Sequence, residues 1–217
     1  MLFFQIILLI IAYLLGSIPW GYVFGKFKGI DIRQHGSKNI GATNTGRLLG
    51  RKYAIITYVL DALKGGLIVS LFIYGVIPME YCLLSPMLYG LAAVLGHTFP
   101  IYLGFKGGKA VATSGGVILA YSPLIFITGL PLFFIVTAIF KYVSLGSIIT
   151  ATYVLISSFV LTFINNGFVD VNQTINLYFP IGTLIMFLII IIRHKTNIVR
   201  IYKHEESKVK WSNKKWT

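Results

Sequence analysis

Long apolar segments alternate with short polar ones along this chain of 217 residues. An apolar segment of about 20 residues can cross the ~30 Å hydrocarbon core of a bilayer as a single helix. Segments of this kind occur at 2–24, 53–77, 82–103, 124–140, 144–164 and 174–192. The apolar segment 111–120 is shorter. It either makes a seventh crossing or forms a re-entrant hairpin with the segment up to 140, and the pattern alone leaves both open.

The basic residues follow every second apolar segment. Lysines and arginines crowd segment 26–52, recur at Lys106, Lys109 and Lys141, and fill the chain from Arg193 onward. The turns between these regions contain none, and Lys64 lies inside a predicted helix. Because basic loops stay in the cytoplasm, seven crossings would place the N-terminus outside and the C-terminus in the cytoplasm.

Composition agrees with a membrane protein. The chain is 56% hydrophobic and 12% charged, with a mean hydropathy of +0.81, whereas a soluble domain carries roughly a quarter charged residues. We therefore expect an all-α, polytopic membrane protein with seven transmembrane helices, one domain at 1–205, and a basic cytoplasmic tail at 206–217. The net charge of +13 is explained by topology and lipid headgroups, so nucleic acid is not an expected partner.

Two glycine-rich basic loops are candidates for binding an anion. The first is GSKNIGATNTGR at 36–47, and the second is GFKGGKAVAT at 104–113. In the second loop two lysines flank a glycine pair, which would leave backbone N–H groups open to a phosphate. Either loop alone could be an ordinary turn, but two in one small membrane protein favour a phosphate site.

One aspartate, one lysine and one histidine fall inside predicted membrane helices. Asp61 and Lys64 are three positions apart and would each be costly alone in hydrocarbon, so we expect them to pair or to face a polar interior. His97 lies near a helix end. A histidine there more often bonds a backbone carbonyl than takes part in catalysis, and it is close enough in sequence to brace the second glycine-rich loop.

On the cytoplasmic side the predicted topology gathers residues that suit a small polyanion with hydroxyl groups. The candidate substrate-binding residues are Ser37, Asn39, Thr43, Asn44, Arg47, His97, Lys106, Gly107, Gly108, Lys109, Ser144, His194 and Asn197. Arginine binds phosphate in a bidentate manner, lysine supplies a compact charge, and amides and hydroxyls orient neutral oxygens. Acidic residues are scarce among these segments, which argues against a divalent metal site.

Five stretches of this chain resemble, in order and content, the bacterial membrane glycerol-3-phosphate acyltransferases that use acyl phosphate as donor. They are GSIPWGYVFGK, HGSKNIGATNTGR, GHTFPIYLGFKGGKAVAT, KYVSLGS and RHKTNIVR. The likeness runs from Gly16 to Glu205. This chain departs from the family pattern at Lys38 and Ala110, where glycine is usual, and at Lys141, where arginine is usual.

The resemblance implies a seven-helix enzyme of the bacterial inner membrane, free of metal and cofactor, with an active site facing the cytoplasm. It would move a fatty acyl group from acyl phosphate to position 1 of glycerol 3-phosphate, giving lysophosphatidic acid and phosphate in the first acylation of phospholipid synthesis. Membrane lipid would surround it, and a monomer is the simplest state, although the sequence leaves open whether one chain suffices.

The resemblance also assigns roles to residues. Arg47, Lys106, Ser144 and His194 would be catalytic. Ser37 and the loop at Lys106 and Gly107 would hold the phosphate of the acyl phosphate, and Arg47, Lys106, Ser144, His194 and Asn197 would hold glycerol 3-phosphate. We favour the departing phosphate over His194 as the proton acceptor.

Other classes of protein fit less well. There is no Walker A motif, which argues against nucleotide hydrolysis. No histidine is followed five residues later by aspartate, so the signature of the soluble-style acyltransferases is missing. A transporter or flippase for an organic phosphate is the main alternative, because basic groups at broken helices would also serve it. The chain shows no paired half-sequences, and its basic loops gather on one face, which favours the enzyme.

Overall fold

The computed structural model describes residues 1–164 and 177–209, and these residues form an all-α fold without a β-strand. The helices are α1 Leu2–Ser17, α2 Trp20–Phe27, α3 Ala42–Leu49, α4 Arg51–Ile73, α5 Pro86–Thr98, α6 Val111–Tyr121, α7 Pro123–Phe140, α8 Val143–Ile164, α9 Tyr178–Arg193 and α10 Lys195–Tyr202. Short 3-10 turns occur at Met79–Tyr81 and Ile101–Leu103. The polar turn predicted at 165–172 lies outside the described residues.

Four stretches of the described chain are long and apolar enough to cross a membrane. They are Arg51–Ile73, Pro86–Leu103, Pro123–Phe140 and Val143–Thr162. The pair α1 and α2 makes a fifth if it counts as one bent span, and α6 and α9 are shorter apolar helices. The all-helical membrane fold is therefore confirmed, whereas the count of seven crossings and the orientation of the termini stay predictions.

The predicted first span is broken rather than continuous. Instead of one helix over 2–24, α1 ends at Ser17 and α2 begins at Trp20, with a bend of 43° between them. Pro19 has no N–H and disfavours helical geometry at the residue before it. The carbonyl of Ile18, freed by the break, accepts a hydrogen bond of 2.7 Å from Lys64 Nζ.

The same lysine makes the ion pair that the sequence predicted. Lys64 Nζ lies 2.7 Å from Asp61 Oδ1, and both side chains are buried. Because each charge would be costly alone in a membrane helix, the pairing explains how α4 carries both. Through its hydrogen bond to Ile18, Lys64 also holds the broken first span against α4.

Two further boundaries differ from the sequence prediction. The third span, expected over 82–103, contains α5 only from Pro86, where Ser85 Oγ accepts from the N–H of Met87. It ends at Thr98 because Pro100 restricts the residue before it. The basic loop 26–52 also contains a helix of its own, α3, which the sequence did not predict.

Close packing of α4 on α6 positions the second glycine-rich loop. A side chain at Gly66 would collide with the backbone of Gly116, so this contact depends on small residues that let two helix backbones approach. The first turn of α6, and the loop that precedes it, are thereby held beside the middle of α4. Helices α7, α8 and α9 complete the wall of a cavity between them.

Candidate active site

A cavity of about 590 Å³ lies among α3, α4 and α6 to α10, a volume in the range of small-molecule sites. Its polar lining comes from helix ends and loops, and its apolar lining comes from the middles of helices. On α8, for example, Ser144 and Val154 both line it and are ten residues apart, which is about 15 Å along a helix. The cavity is therefore polar at one end and apolar over a long extension.

Most of the sequence-predicted site residues line this cavity. They are Ser37, Asn39, Thr43, Asn44, Arg47, His97, Lys109, Ser144, His194 and Asn197. Lys106, Gly107 and Gly108 do not line it, and the side chain of Lys106 is exposed to solvent. The structure thus brings three loops and the end of α9 together as the sequence predicted, while the role of each residue stays a prediction.

Asn44 organises the first glycine-rich loop. Its Oδ1 accepts from the N–H of Ser37 at 2.9 Å, and its Nδ2 donates to the carbonyls of Ile32 at 3.0 Å and Asn39 at 2.9 Å. The Oδ1 of Asn39 accepts in turn from the N–H of Gly41 at 2.9 Å. Asn44 is buried, and its side-chain amide bonds backbone groups of the loop. We infer that Asn44 shapes the segment that carries Ser37.

The second glycine-rich loop is oriented differently from the prediction. The N–H groups of Gly107 and Gly108 are not open to a ligand, because they donate to the carbonyls of Thr98 and His97 at 3.1 and 3.0 Å. The carbonyls of both glycines accept from the guanidinium of Arg193. The expectation of an N–H cradle at this glycine pair is wrong, since the end of α5 uses those groups.

Free N–H groups occur instead at the first turn of α6. Backbone N–H groups at a helix N-terminus have no partner within the helix and carry a partial positive charge. Val111 and Ala112 of this turn line the cavity. The loop therefore presents the N-terminus of α6 to the cavity.

His97 braces this loop, as the sequence predicted. Its carbonyl accepts from Gly108, and its Nδ1 lies 3.6 Å from Asp61 Oδ1. A side chain at position 108 would collide with the imidazole ring, so Gly108 packs directly against the side chain of His97. His97 connects the ion pair on α4 to the loop.

Two cations at the polar end are partly withdrawn from water. Lys109 Nζ donates to Asn197 Oδ1, and burial lowers the pKa of this ammonium to about 8, with nearby arginines acting in the same direction. Burial also lowers the pKa of Arg47, against the opposing effect of the Glu206 carboxylate. An anionic ligand would gain from both charges, because burial leaves them only partly solvated.

His194 is neutral at physiological pH. Burial and the charge of Lys109 lower the pKa of this imidazole to about 4. Its Nδ1 lies 2.8 Å from the carbonyl of Ile190. Since a carbonyl only accepts, Nδ1 carries the proton and Nε2 keeps its lone pair.

Glu206 is a residue of the site that sequence reasoning missed. Its Oε1 accepts from Ser144 Oγ at 2.9 Å and from Asn197 Nδ2 at 2.6 Å, and its Oε2 lies 3.0 Å from Arg200 Nε. Glu206 is one of six acidic residues in the chain, but it lies just beyond the quoted motifs and at the start of what looked like a basic tail.

The chain beyond Glu206 also belongs to the cavity wall. The N–H of Val209 donates to the carbonyl of Lys141 at 2.8 Å, and Ser207 and Val209 line the cavity with Glu206. The segment 206–209 therefore packs on the helices, although the sequence set it apart as a tail. With Asp61 and Glu206 lining the cavity, carboxylates are less scarce here than the motifs suggested. The described residues contain no group of three His, Cys, Asp or Glu suited to a metal ion.

Comparisons with known proteins identify the family of this chain. The model of the family described as "Glycerol-3-phosphate acyltransferase" matches residues 6–204. The chain is 47% identical over 206 residues to the glycerol-3-phosphate acyltransferase of Bacillus subtilis (strain 168), covering 94% of this chain and 97% of that protein. It is 45% identical over 212 residues to the enzyme of the same name from Staphylococcus haemolyticus (strain JCSC1435), covering 95% and 98%.

A solved structure is also similar. It is the crystal structure of PlsY, an integral membrane glycerol 3-phosphate acyltransferase, in its glycerol 3-phosphate form. The TM-score is 0.81 and the identity 35%, over 95% of this chain and 96% of that one. With near-complete coverage in sequence and in structure, the chain belongs to the glycerol-3-phosphate acyltransferase family and is an integral membrane acyltransferase of the PlsY type.

Proposed function

We propose that this enzyme transfers a fatty acyl group from acyl phosphate to position 1 of glycerol 3-phosphate and releases lysophosphatidic acid and phosphate. The observation that carries the proposal is that one and the same cavity has a cationic, hydroxyl-rich end and a long apolar extension. An acyl phosphate has the same division, with an anionic head joined directly to an apolar chain. A site for acyl phosphate therefore needs both surfaces within one cavity.

The apolar extension is suited to the acyl chain. It is lined by side chains from α7, α8 and α9, among them Ile125, Leu130, Phe133, Val154 and Met186. Burying a methylene there contributes about 0.8 kcal/mol for a chain taken from water. The head of the donor would then lie at the polar end, near Ser37, where the resemblance places it.

The polar end is suited to glycerol 3-phosphate, and a related structure is described in its glycerol 3-phosphate form. Arg47, Ser144, His194 and Asn197, which the resemblance assigns to this substrate, all line the cavity. Lys106 is assigned to both substrates, and from its exposed position it would reach the phosphates at the cavity mouth. The ammonium of Lys109 and the N-terminus of α6 add positive potential to the same region.

The reaction needs little covalent help from the protein. Acyl phosphate is a mixed anhydride with an activated carbonyl, so holding the two substrates together and neutralising the developing negative charge would supply most of the acceleration. The proton of the attacking hydroxyl would leave on the departing phosphate. His194 is a poor base for this step, because burial lowers its pKa to about 4. A loss of ~10³ or more in kcat for His194→Ala, with binding unchanged, would count against substrate-assisted transfer.

The active site would face the cytoplasm of the bacterial inner membrane, with seven crossings, the N-terminus outside and the C-terminus inside. The support is that the loops and helix ends contributing the polar lining are the basic segments that the positive-inside rule retains in the cytoplasm. All of these groups come from one chain, which is consistent with an active monomer.

The test is a comparison of donors with purified protein in detergent and with chelator present. Palmitoyl phosphate, palmitoyl-CoA and palmitoyl acyl carrier protein are each offered with labelled glycerol 3-phosphate. Lysophosphatidic acid formed from palmitoyl phosphate alone supports the proposal. Product formed only from one of the thioesters would refute the choice of donor.

The alternative of a phosphate transporter can be separated from acyl transfer in liposomes. A transporter would take up labelled glycerol 3-phosphate without forming lipid, even when no acyl donor is present. An acyltransferase would instead convert it to a lipid product, and only after acyl phosphate is added.

A further inference from the structure

A second, smaller cavity of about 340 Å³ lies between the start of α7 and the second half of α8. Leucine, isoleucine and valine side chains supply most of its lining, together with Thr128, Tyr153 and Ser157. None of the described residues that line it is charged. Ser157 is thirteen residues beyond Ser144 on α8, about 20 Å along the helix. The second cavity therefore lies farther from the polar end of the active site than the apolar extension does.

The two cavities meet at α7 and α8. Ile125 lines both of them. On α8, Val154 lines the active-site cavity and its neighbour Tyr153 lines the second cavity. A Cβ atom at Gly129, which lines the active-site cavity, would meet the ring of Tyr153 at 3.5 Å. The ring of Tyr153 therefore stands between the two cavities.

A hydrogen bond between the helices holds this ring in place. Thr128 Oγ1 donates to the carbonyl of Leu124 at 2.7 Å and lies 2.6 Å from the hydroxyl oxygen of Tyr153. A threonine hydroxyl has one proton, and the carbonyl of Leu124 takes it. Tyr153 is therefore the donor to Thr128, and its side chain bridges the gap from α8 to α7.

We propose that the second cavity is a continuation of the acyl-chain site that the ring of Tyr153 closes off, so that Tyr153 sets the longest acyl chain that the enzyme uses efficiently. The inference rests on the proposed function and adds its chain-length specificity. The occupant that fits is the methyl end of a long acyl chain, because the lining is apolar and continues the apolar extension across Ile125. In the wild-type protein a chain that reaches the ring must stop or bend there.

The test compares kcat/KM for a shorter and a longer saturated donor, lauroyl phosphate and arachidoyl phosphate, presented in the same detergent micelles with glycerol 3-phosphate as acceptor. A closed apolar site rejects a chain that exceeds it by about 10-fold or more. Tyr153→Ala removes the ring, so the ratio of the arachidoyl value to the lauroyl value should rise about 10-fold or more. Tyr153→Phe keeps the ring against Gly129 and should hold the wild-type ratio within about threefold.

A double variant tests whether the longer chain enters the second cavity. Ser157 lines the second cavity and is absent from the lining of the first, so Ser157→Phe fills only the second. Alone, it should keep the wild-type ratio, because the wild-type chain stops at Tyr153. Combined with Tyr153→Ala, it should return the ratio toward the wild-type value. A gain that survives in the double variant would mean that the chain escapes into the surrounding lipid or detergent, and it would overturn the proposal.

Two other results would also overturn it: an unchanged ratio in Tyr153→Ala, including equal losses with both donors, or a rise in Tyr153→Phe as large as that in Tyr153→Ala. Tyr153→Leu removes the ring but keeps an apolar side chain, and it decides the question if thermal unfolding in detergent shows that Tyr153→Ala does not fold. Wild-type protein that forms no lysophosphatidic acid from either acyl phosphate would instead refute the proposed function, which separates the two failures.

Discussion

Gly129 offers a direct test of the apolar extension as the acyl-chain site. It lies on α7 and lines the cavity, where a Cβ atom would meet Thr150 Cγ2 and the ring of Tyr153 at 3.5 Å. Those are ordinary van der Waals distances, so Gly129→Ala should fold and should gain about 0.5 to 1 kcal/mol of helix stability. Gly129→Leu would place four side-chain carbons in the space assigned to the substrate.

The expected effect depends on chain length. Thr150 is six residues beyond Ser144 on α8, about 9 Å deeper, so a short chain can end before the new side chain and a long one cannot. Leucine would displace three or four methylenes, and at about 0.8 kcal/mol each for a chain taken from water the loss is at most about 2.4 to 3.2 kcal/mol, or up to roughly 50- to 200-fold in kcat/KM. We expect this loss with palmitoyl phosphate and little change with octanoyl phosphate.

The assay is initial-rate formation of lysophosphatidic acid by Gly129→Leu, Gly129→Ala and wild type with both donors. Gly129→Ala should keep the wild-type preference for chain length. Equal losses with the two donors in Gly129→Leu would refute the reasoning, because a steric block deep in an acyl-chain site must discriminate by length.

Three other predictions concern the polar end and its support. Because burial lowers the pKa of Lys109 to about 8, the ammonium loses its proton above that pH, and kcat/KM should fall as the pH rises through about 8. Lys109→Arg should move this fall to higher pH. A fall at the same pH in the variant would exclude Lys109 as its source. Asp61→Asn leaves Lys64 without its buried partner and should cost about 3 to 5 kcal/mol of stability, measured by thermal unfolding in detergent. An unchanged midpoint of thermal unfolding would contradict the account of the ion pair. Lys106→Ala should lower activity at an unchanged unfolding temperature, whereas Lys52→Ala, at an exposed lysine outside the cavity, should leave both the activity and the unfolding temperature unchanged; equal activities of the two variants would remove Lys106 from the site.

The sequence predicted the parts of this molecule that depend on residue type. Apolar length identified the membrane helices, and the cost of unpaired charge in hydrocarbon predicted the pairing of Asp61 with Lys64. The clustering of basic loops on one side predicted that segments as distant as those of Arg47 and Asn197 meet in one place. Each of these inferences needs only composition, spacing and the physics of the bilayer.

The parts it missed depend on direction and on tertiary contact. A glycine pair between lysines has N–H groups to offer, but the carbonyls at the end of α5 bind them first. Two lysines three positions apart are equivalent in sequence, yet only Lys109 points into the cavity. Glu206 has no local signal, because its role exists only once the segment after α10 packs against the start of α8.

The most direct test of the central claim is the stoichiometry of the reaction with purified protein, palmitoyl phosphate and glycerol 3-phosphate in the presence of chelator. Acyl transfer within one cavity predicts that lysophosphatidic acid acylated at position 1 and inorganic phosphate appear in a one-to-one ratio, and that neither appears when the acceptor is omitted. Phosphate release without acceptor, or glycerol 3-phosphate bound and moved without acylation, would contradict it.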